Sequence, residues 1–205
     1  MSQPEQTQIY LITPSSFEPS VFGDQLAAVL DRVEIACVRL DLASQDAEQI
    51  ARAADHLRPI CHQRDIALVI SRHFRLVERL GLDGCHLPDG ARQVREVRKA
   101  LGPEAILGSY CAASRHAGLS AGEAGADYIS FGPLGDSGLG DGTLADRELF
   151  QWWSEMIELP VVAEGGLSAE IIAELSPVTD FLAIGAEIWG QDDPAAALSE
   201  LLRAL

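Results

Sequence analysis

Lysine is nearly missing from this chain of 205 residues: Lys99 stands alone beside 14 arginines. A mechanism that needs a lysine near the end of a strand therefore has almost no candidate. Bases are also scarce against acids, 15 Lys and Arg facing 31 Asp and Glu, for a net charge of −16. Such a surface repels nucleic acid and anionic membranes, and neither is expected as a partner. No apolar run approaches the roughly 18 residues of a membrane span. Residues 1–7 are polar where a secretory signal would carry its apolar centre. The expectation is a cytoplasmic protein with 1–7 as a disordered tail. Paired cysteines are lacking too. Cys37, Cys61, Cys85 and Cys111 form no C-x-x-C step, and three of them lie in apolar strand-like runs. They are expected as buried free thiols in a reducing compartment, with no disulfide framework and no zinc site.

What the chain does have is rhythm. Its 47% hydrophobic content excludes a disordered or fibrous protein. Strand signals at 9–13, 36–40, 67–71, 84–87, 106–109, 128–132, 161–163 and 181–184 alternate with stretches of helical apolar spacing. In 47–61, Ile50, Ala53, Ala54 and Leu57 share one face; in 91–101, Val94, Val97, Ala100 and Leu101 do. Strands apolar on both faces suit a parallel sheet covered by helices. The predicted architecture is α/β, one single-domain (β/α)8 TIM barrel over residues 1–205. Gly81, Gly102 and Gly125 read as helix stops, and Ser44, Ser168 and Asp193-Pro194 as helix starts. Two Gly-x-Asp steps, ending at Asp83 and Asp127, lead into strands and predict one αβ turn used twice.

Two apolar runs near the C-terminus each stop at glycine, at Gly165-Gly166 and at Gly185. Glycine at a strand-to-helix junction lets backbone N–H groups converge, and the helix start adds partial positive charge. In (β/α)8 barrels a cup built from the last two units commonly holds phosphate. The expected phosphate contacts are the N–H groups around Gly165, Gly166, Gly185 and Ala186. Glu164 directly precedes the glycine pair and is a candidate base or holder of a ligand ring nitrogen. His86 ends a strand, as a general acid/base or as a hydrogen-bonded structural group. Tyr110 is a candidate aromatic wall or hydrogen-bond donor. Residues 133–146 are rich in glycine and read either as a lid or as an unstructured loop. Trp152-Trp153 reads as core or interface packing.

The order of these motifs resembles the thiamine-phosphate synthase and TenI-like thiazole tautomerase family. The resemblance runs nearly end to end, through Ile9-Tyr10-Leu11-Ile12-Thr13, Gly81-Leu82-Asp83-Gly84-Cys85-His86-Leu87, the segment from Gly125 to Pro133, and Pro160 to Gly166. It implies a barrel that joins a pyrimidine pyrophosphate to a thiazole phosphate, or isomerises the latter. The ligand class it implies is thiazole phosphate or thiamine phosphate, and homodimers are common among such barrels, with Trp152-Trp153 as a candidate contact. This chain departs from the synthase pattern on one side. The positions of Gln-x-Arg-x-Lys fall at Arg39, Asp41 and Ala43, Ser71-Arg72 replaces Asn-Asp, and Ala91 falls at the second Mg²⁺ carboxylate, with Asp89 two positions early. The tautomerase histidine after the fifth strand is also missing. Mg²⁺ is thus the one cofactor the family implies, and no residue here is assigned to hold it. Arg39 and Arg72 remain candidates to bind an anion directly, one of them paired with Asp41. Three functions follow from this pattern: an enzyme of thiamine biosynthesis or salvage with doubtful synthase chemistry, a degenerate ligand-binding or regulatory barrel, or another phosphate-barrel isomerase or lyase using Glu164 or His86.

Overall fold

In the computed structural model, which describes residues 7–205, eight strands pair in parallel in chain order and the last closes on the first. They are Gln8–Ile12 (β1), Cys37–Leu40 (β2), Ala67–Ser71 (β3), Gly84–Leu87 (β4), Ile106–Tyr110 (β5), Tyr128–Phe131 (β6), Val161–Glu164 (β7) and Phe181–Ile184 (β8). Each predicted strand end falls within one residue of the observed one. The helices are Pro19–Leu30 (α1), Ala47–His62 (α2), Val77–Leu80 (α3), Val94–Leu101 (α4), Arg115–Ala124 (α5), Arg147–Met156 (α6), Ala169–Leu175 (α7), Ala186–Trp189 (α8) and Pro194–Leu201 (α9). No helix among the described residues is long and apolar enough to cross a membrane.

Alternation along the strands builds two cores. Outward residues such as Leu11, Val38, Leu68, Leu107, Ile129 and Leu182 pack beneath the helices. Inward residues Tyr10, Cys37, Val69, Tyr128, Val162 and Ala183 form a separate cluster inside the barrel. The helices answer with one apolar face each; α2 buries Ile50, Ala53, Ala54, Leu57 and Cys61. Each large side chain among them contributes roughly 1.5–3 kcal/mol of burial. All four cysteines are buried free thiols, each pushed up to about 12 by burial.

Punctuation follows the sequence with three corrections. Ser168 and Asp193 cap α7 and α9 as expected. The cap of α2 is Asp46, whose carboxylate accepts the Glu48 N–H at 2.9 Å, while Ser44 receives the Asp46 N–H at 3.1 Å. Asp46 is the last extended residue before the helix, so its side chain is the one that faces the orphaned donors. Residues 91–93 form a turn before α4. In the expected tail, Thr7 is buried and its hydroxyl donates to Ser176 O at 2.6 Å and Thr179 O at 3.1 Å. Residues 1–6 lie outside the described residues.

The repeated αβ turn occurs three times. Asp83, Asp127 and Asp180 immediately precede β4, β6 and β8, and their carboxylates accept the N–H groups of Leu68, Leu107 and Val161, each at 2.7 Å. Each thereby fastens an even strand to the odd strand before it at the N-terminal rim. This leaves the opposite rim, where the strands end, for chemistry.

Candidate functional site

The site is built from the inside of the barrel outwards. Gly108 on β5 leaves the space that the Tyr128 ring fills: a Cβ there would stand 2.0 Å from Tyr128 Cζ. The Tyr128 hydroxyl then bonds to the Tyr10 hydroxyl at 2.8 Å and to His86 Nδ1 at 3.0 Å. Burial pushes both tyrosine hydroxyls up. Burial, reinforced by the charges of Arg39 and Arg72, holds the His86 imidazole well below its ordinary range. His86 is therefore a neutral ring at neutral pH, and its Nε2 is buried without a partner.

Nearer the mouth, Arg39 from β2 reaches across the barrel to Glu164 at the end of β7, Nη1 to Oε2 at 2.9 Å. Both side chains are buried, at 5% and 2% exposure. Burial opposes the Arg39 charge, but the Glu164 carboxylate and its neighbours outweigh that cost and raise the guanidinium pKa. The guanidinium also lies over the Tyr10 ring, 5.8 Å from its centre, and its Nε has no partner. Of the two anion candidates, Arg39 is thus already matched with a carboxylate inside the barrel. Arg72 is matched at the rim, where its Nη2 meets Asp41 Oδ1 at 3.1 Å, the pairing foreseen for one of the two arginines.

Above the ion pair a cavity of about 430 Å3 opens at the strand ends. Arg39, Glu164, Gly165, Gly166, Gly185 and Ala186 line it, together with Asp41, Ser137 and Leu139. His86, Arg72 and Tyr110 are not among its lining residues. Tyr110, expected as an aromatic wall or a hydrogen-bond donor, donates its hydroxyl to Gly132 O at 2.7 Å and so clamps the segment after β6. Its own pKa is pushed up to about 12 by burial and by the Glu164 and Asp141 charges. A larger groove of about 570 Å3 lies at the opposite end, lined by Thr7, Val33 and Leu202, and carries none of these side chains.

The two glycines after β7 adopt positive φ, +93° at Gly165 and +74° at Gly166, a region L side chains enter only at a cost. Gly165 O accepts the N–H groups of Leu134 and Gly135 at 2.8 and 3.1 Å. The start of the 133–146 segment is therefore folded onto the glycine turn, with Ser137 and Leu139 at the cavity edge. At the second junction the structure adds a residue the sequence reading missed. Glu187 in α8 accepts the Gly185 N–H on Oε2 at 2.8 Å and the Leu167 N–H on Oε1 at 3.1 Å. The only signal in the sequence was an acid two positions beyond Gly185, which reads as an ordinary helix-start acid. Trp153 is buried in the core with its N–H on Leu159 O, whereas Trp152 is half-buried beneath the Arg115 guanidinium.

A closed parallel barrel, glycine turns at the ends of β7 and β8, and a ligand-sized cavity between them define the class: a (β/α)8 barrel with its ligand mouth at the strand C-termini. Comparison with known proteins carries this further. Residues 9–188 match the family described as Thiamine monophosphate synthase (TMP-TENI), and the chain belongs to that family. It is 40% identical over 201 residues to a thiamine-phosphate synthase of Rhodospirillum centenum, covering 97% of each chain. It is 37% identical over 196 residues to that of Erythrobacter litoralis, covering 93% of this chain and 92% of the relative. Among solved structures it is similar to thiamine phosphate pyrophosphorylase from Pyrococcus furiosus, with a TM-score of 0.83, 20% identity, and coverage of 96% and 94%.

Proposed function

We propose that the chain binds a phosphorylated thiazole-type ligand at this mouth and serves thiamine biosynthesis or salvage. The observation that carries the reading is the cavity of about 430 Å3 that joins both glycine junctions over the buried Arg39–Glu164 pair. Its volume falls in the usual range for small-molecule sites. The ligand's phosphate end faces the backbone donors of Gly165, Gly166, Gly185 and Ala186. Its ring lies towards Glu164, which Arg39 holds in one orientation. The thiamine-phosphate synthases among its relatives favour thiazole phosphate or thiamine phosphate as the ligand.

The synthase step makes demands that binding alone does not. Departure of pyrophosphate needs cations to absorb developing charge, and Mg²⁺ is held by several hard oxygens. On the rim where the family implies that metal, Arg72 occupies a former carboxylate position and ties up Asp41. Asp89 has one oxygen on Gln93 and the other buried without a partner. Among the described residues no group of three or more His, Cys, Asp or Glu side chains is arranged to hold a metal ion. With Asp41 held by Arg72 and Asp89 by Gln93, the rim offers no free pair of carboxylates to share Mg²⁺ with a pyrophosphate, and the donor set does not fit that ion. The matched arginines favour a second reading, a barrel that binds its ligand without turnover.

Calorimetric titration with thiazole phosphate, thiamine phosphate and pyrimidine pyrophosphate, with and without Mg²⁺, tests the proposal. Binding of thiazole phosphate independent of Mg²⁺ is expected. Mg²⁺-dependent pyrimidine pyrophosphate binding with turnover would restore synthase chemistry. If no thiazole ligand binds, the substrate assignment fails and a different phosphate-barrel isomerase or lyase gains.

A further inference from the structure

One acid at the mouth is left unused by the proposed function. Glu187 joins the two junctions with a single side chain, since Gly185 follows β8 and Leu167 follows the glycine pair after β7. Its two oxygens sit on separate backbone N–H groups, at 2.8 and 3.1 Å. A phosphate group bound at such turns uses its oxygens in the same way. Glu187 also lines the cavity beside Arg39, whose buried Nε lacks a partner.

We propose that Glu187 is a resident anion, a carboxylate latch that a phosphorylated ligand must turn out of the cup, so that it sets the preference between phosphate and free alcohol. This rests on the reading of the mouth as the phosphate end of a thiazole site. The Gly185 N–H cannot serve the carboxylate and a phosphate at once, and a phosphate beside an undisplaced carboxylate meets like charge at close range. Two further carboxylates add to that repulsion. Asp41 and Glu164 line the same cavity, Arg39 is committed to Glu164, and Arg72 is committed to Asp41. Glu187 itself is only half-buried, on a helix of four residues, so a path to solvent is open. A ligand ending in a hydroxyl leaves the latch closed and donates to it.

The test compares the wild type with Glu187→Gln and Glu187→Ala. Glutamine keeps the side-chain length and one acceptor while removing the charge; alanine removes both. Thiazole phosphate, the same thiazole as its free alcohol, and inorganic phosphate are titrated into each. The latch predicts that thiazole phosphate and inorganic phosphate bind about tenfold tighter or more in both variants, while the alcohol tightens in neither. Unchanged or weaker phosphate binding in the variants overturns it, as does a failure of every form to bind any phosphate. If inorganic phosphate tightens but neither thiazole compound binds to any form, the latch stands and the thiazole assignment falls. If thiazole phosphate binds equally to all forms, the assignment stands and the latch falls.

Discussion

Removing Arg39 alone should unfold this barrel far more readily than removing Arg39 and Glu164 together. The pair lies at 2.9 Å with both side chains almost wholly buried. Arg39→Met strands a carboxylate in the barrel, and Glu164→Leu strands a guanidinium, each at a cost of about 3–5 kcal/mol. The arginine change also forfeits the contact over Tyr10, about 0.5–1 kcal/mol. The double variant strands no charge, and replacement by apolar groups of similar volume is often neutral or stabilising by about 1–4 kcal/mol. The expected coupling energy, the double effect less both single losses, is therefore about 6 kcal/mol or more. Urea unfolding under reducing conditions measures it, with tryptophan fluorescence and circular dichroism required to give one coincident transition. Single losses below about 1 kcal/mol that simply add in the double variant would mean the pair is hydrated, and would refute a sealed charge pair as the floor of the site.

Two further tests address the interior and the lower rim. The unfolded chain takes up a proton at His86 near 6.5, whereas the buried ring does so only at much lower pH, so stability falls as pH drops below that point. His86→Asn should flatten the fall by up to about 1.4 kcal/mol over the first pH unit, read from unfolding curves of both proteins across that range. Asp180→Ala should leave the Val161 N–H unpartnered at a cost of about 1–3 kcal/mol, and its effect should add to that of Asp83→Ala, because the two turns share no partner.

The barrel was legible because its strands are buried on both faces, so each is a short continuous apolar run between turn signals. Asp83 and Asp127 were visible as Gly-x-Asp. Asp180 does the same work without that glycine, after Pro177-Val178-Thr179, and escaped notice. The interior chemistry was hidden for a different reason. Arg39 and Glu164 are 125 positions apart, and no local period connects them. Strand patterning says that both point inwards, but only closure of the sheet places one opposite the other. Tyr128 is likewise unreadable without Gly108, since the ring's position depends on a side chain that is missing from a neighbouring strand. Glu187 is local, two residues from Gly185, yet its sequence context fits any helix start. Its bond to Leu167 depends on the pairing of β7 with β8.

These hidden contacts bear directly on what the glycine cup means. Backbone donors give a barrel an anion site that survives changes of side chain, so glycines alone speak for position and not for charge. The charge around them is set by side chains, and here each cation brought to the mouth arrives already matched: Arg39 by Glu164 within the barrel, Arg72 by Asp41 at the rim. With Lys99 as the chain's single lysine, placed on α4, no second kind of cation is at hand to tip the balance. Glu187 then takes two of the N–H groups that could have favoured an incoming anion. Under the proposed latch, a phosphate drawn to the Gly185 N–H has to displace a contact the protein already makes. A ligand carrying a second, pyrophosphate-sized charge would meet further repulsion from Asp41, Glu164 and Glu187, which line the same cavity.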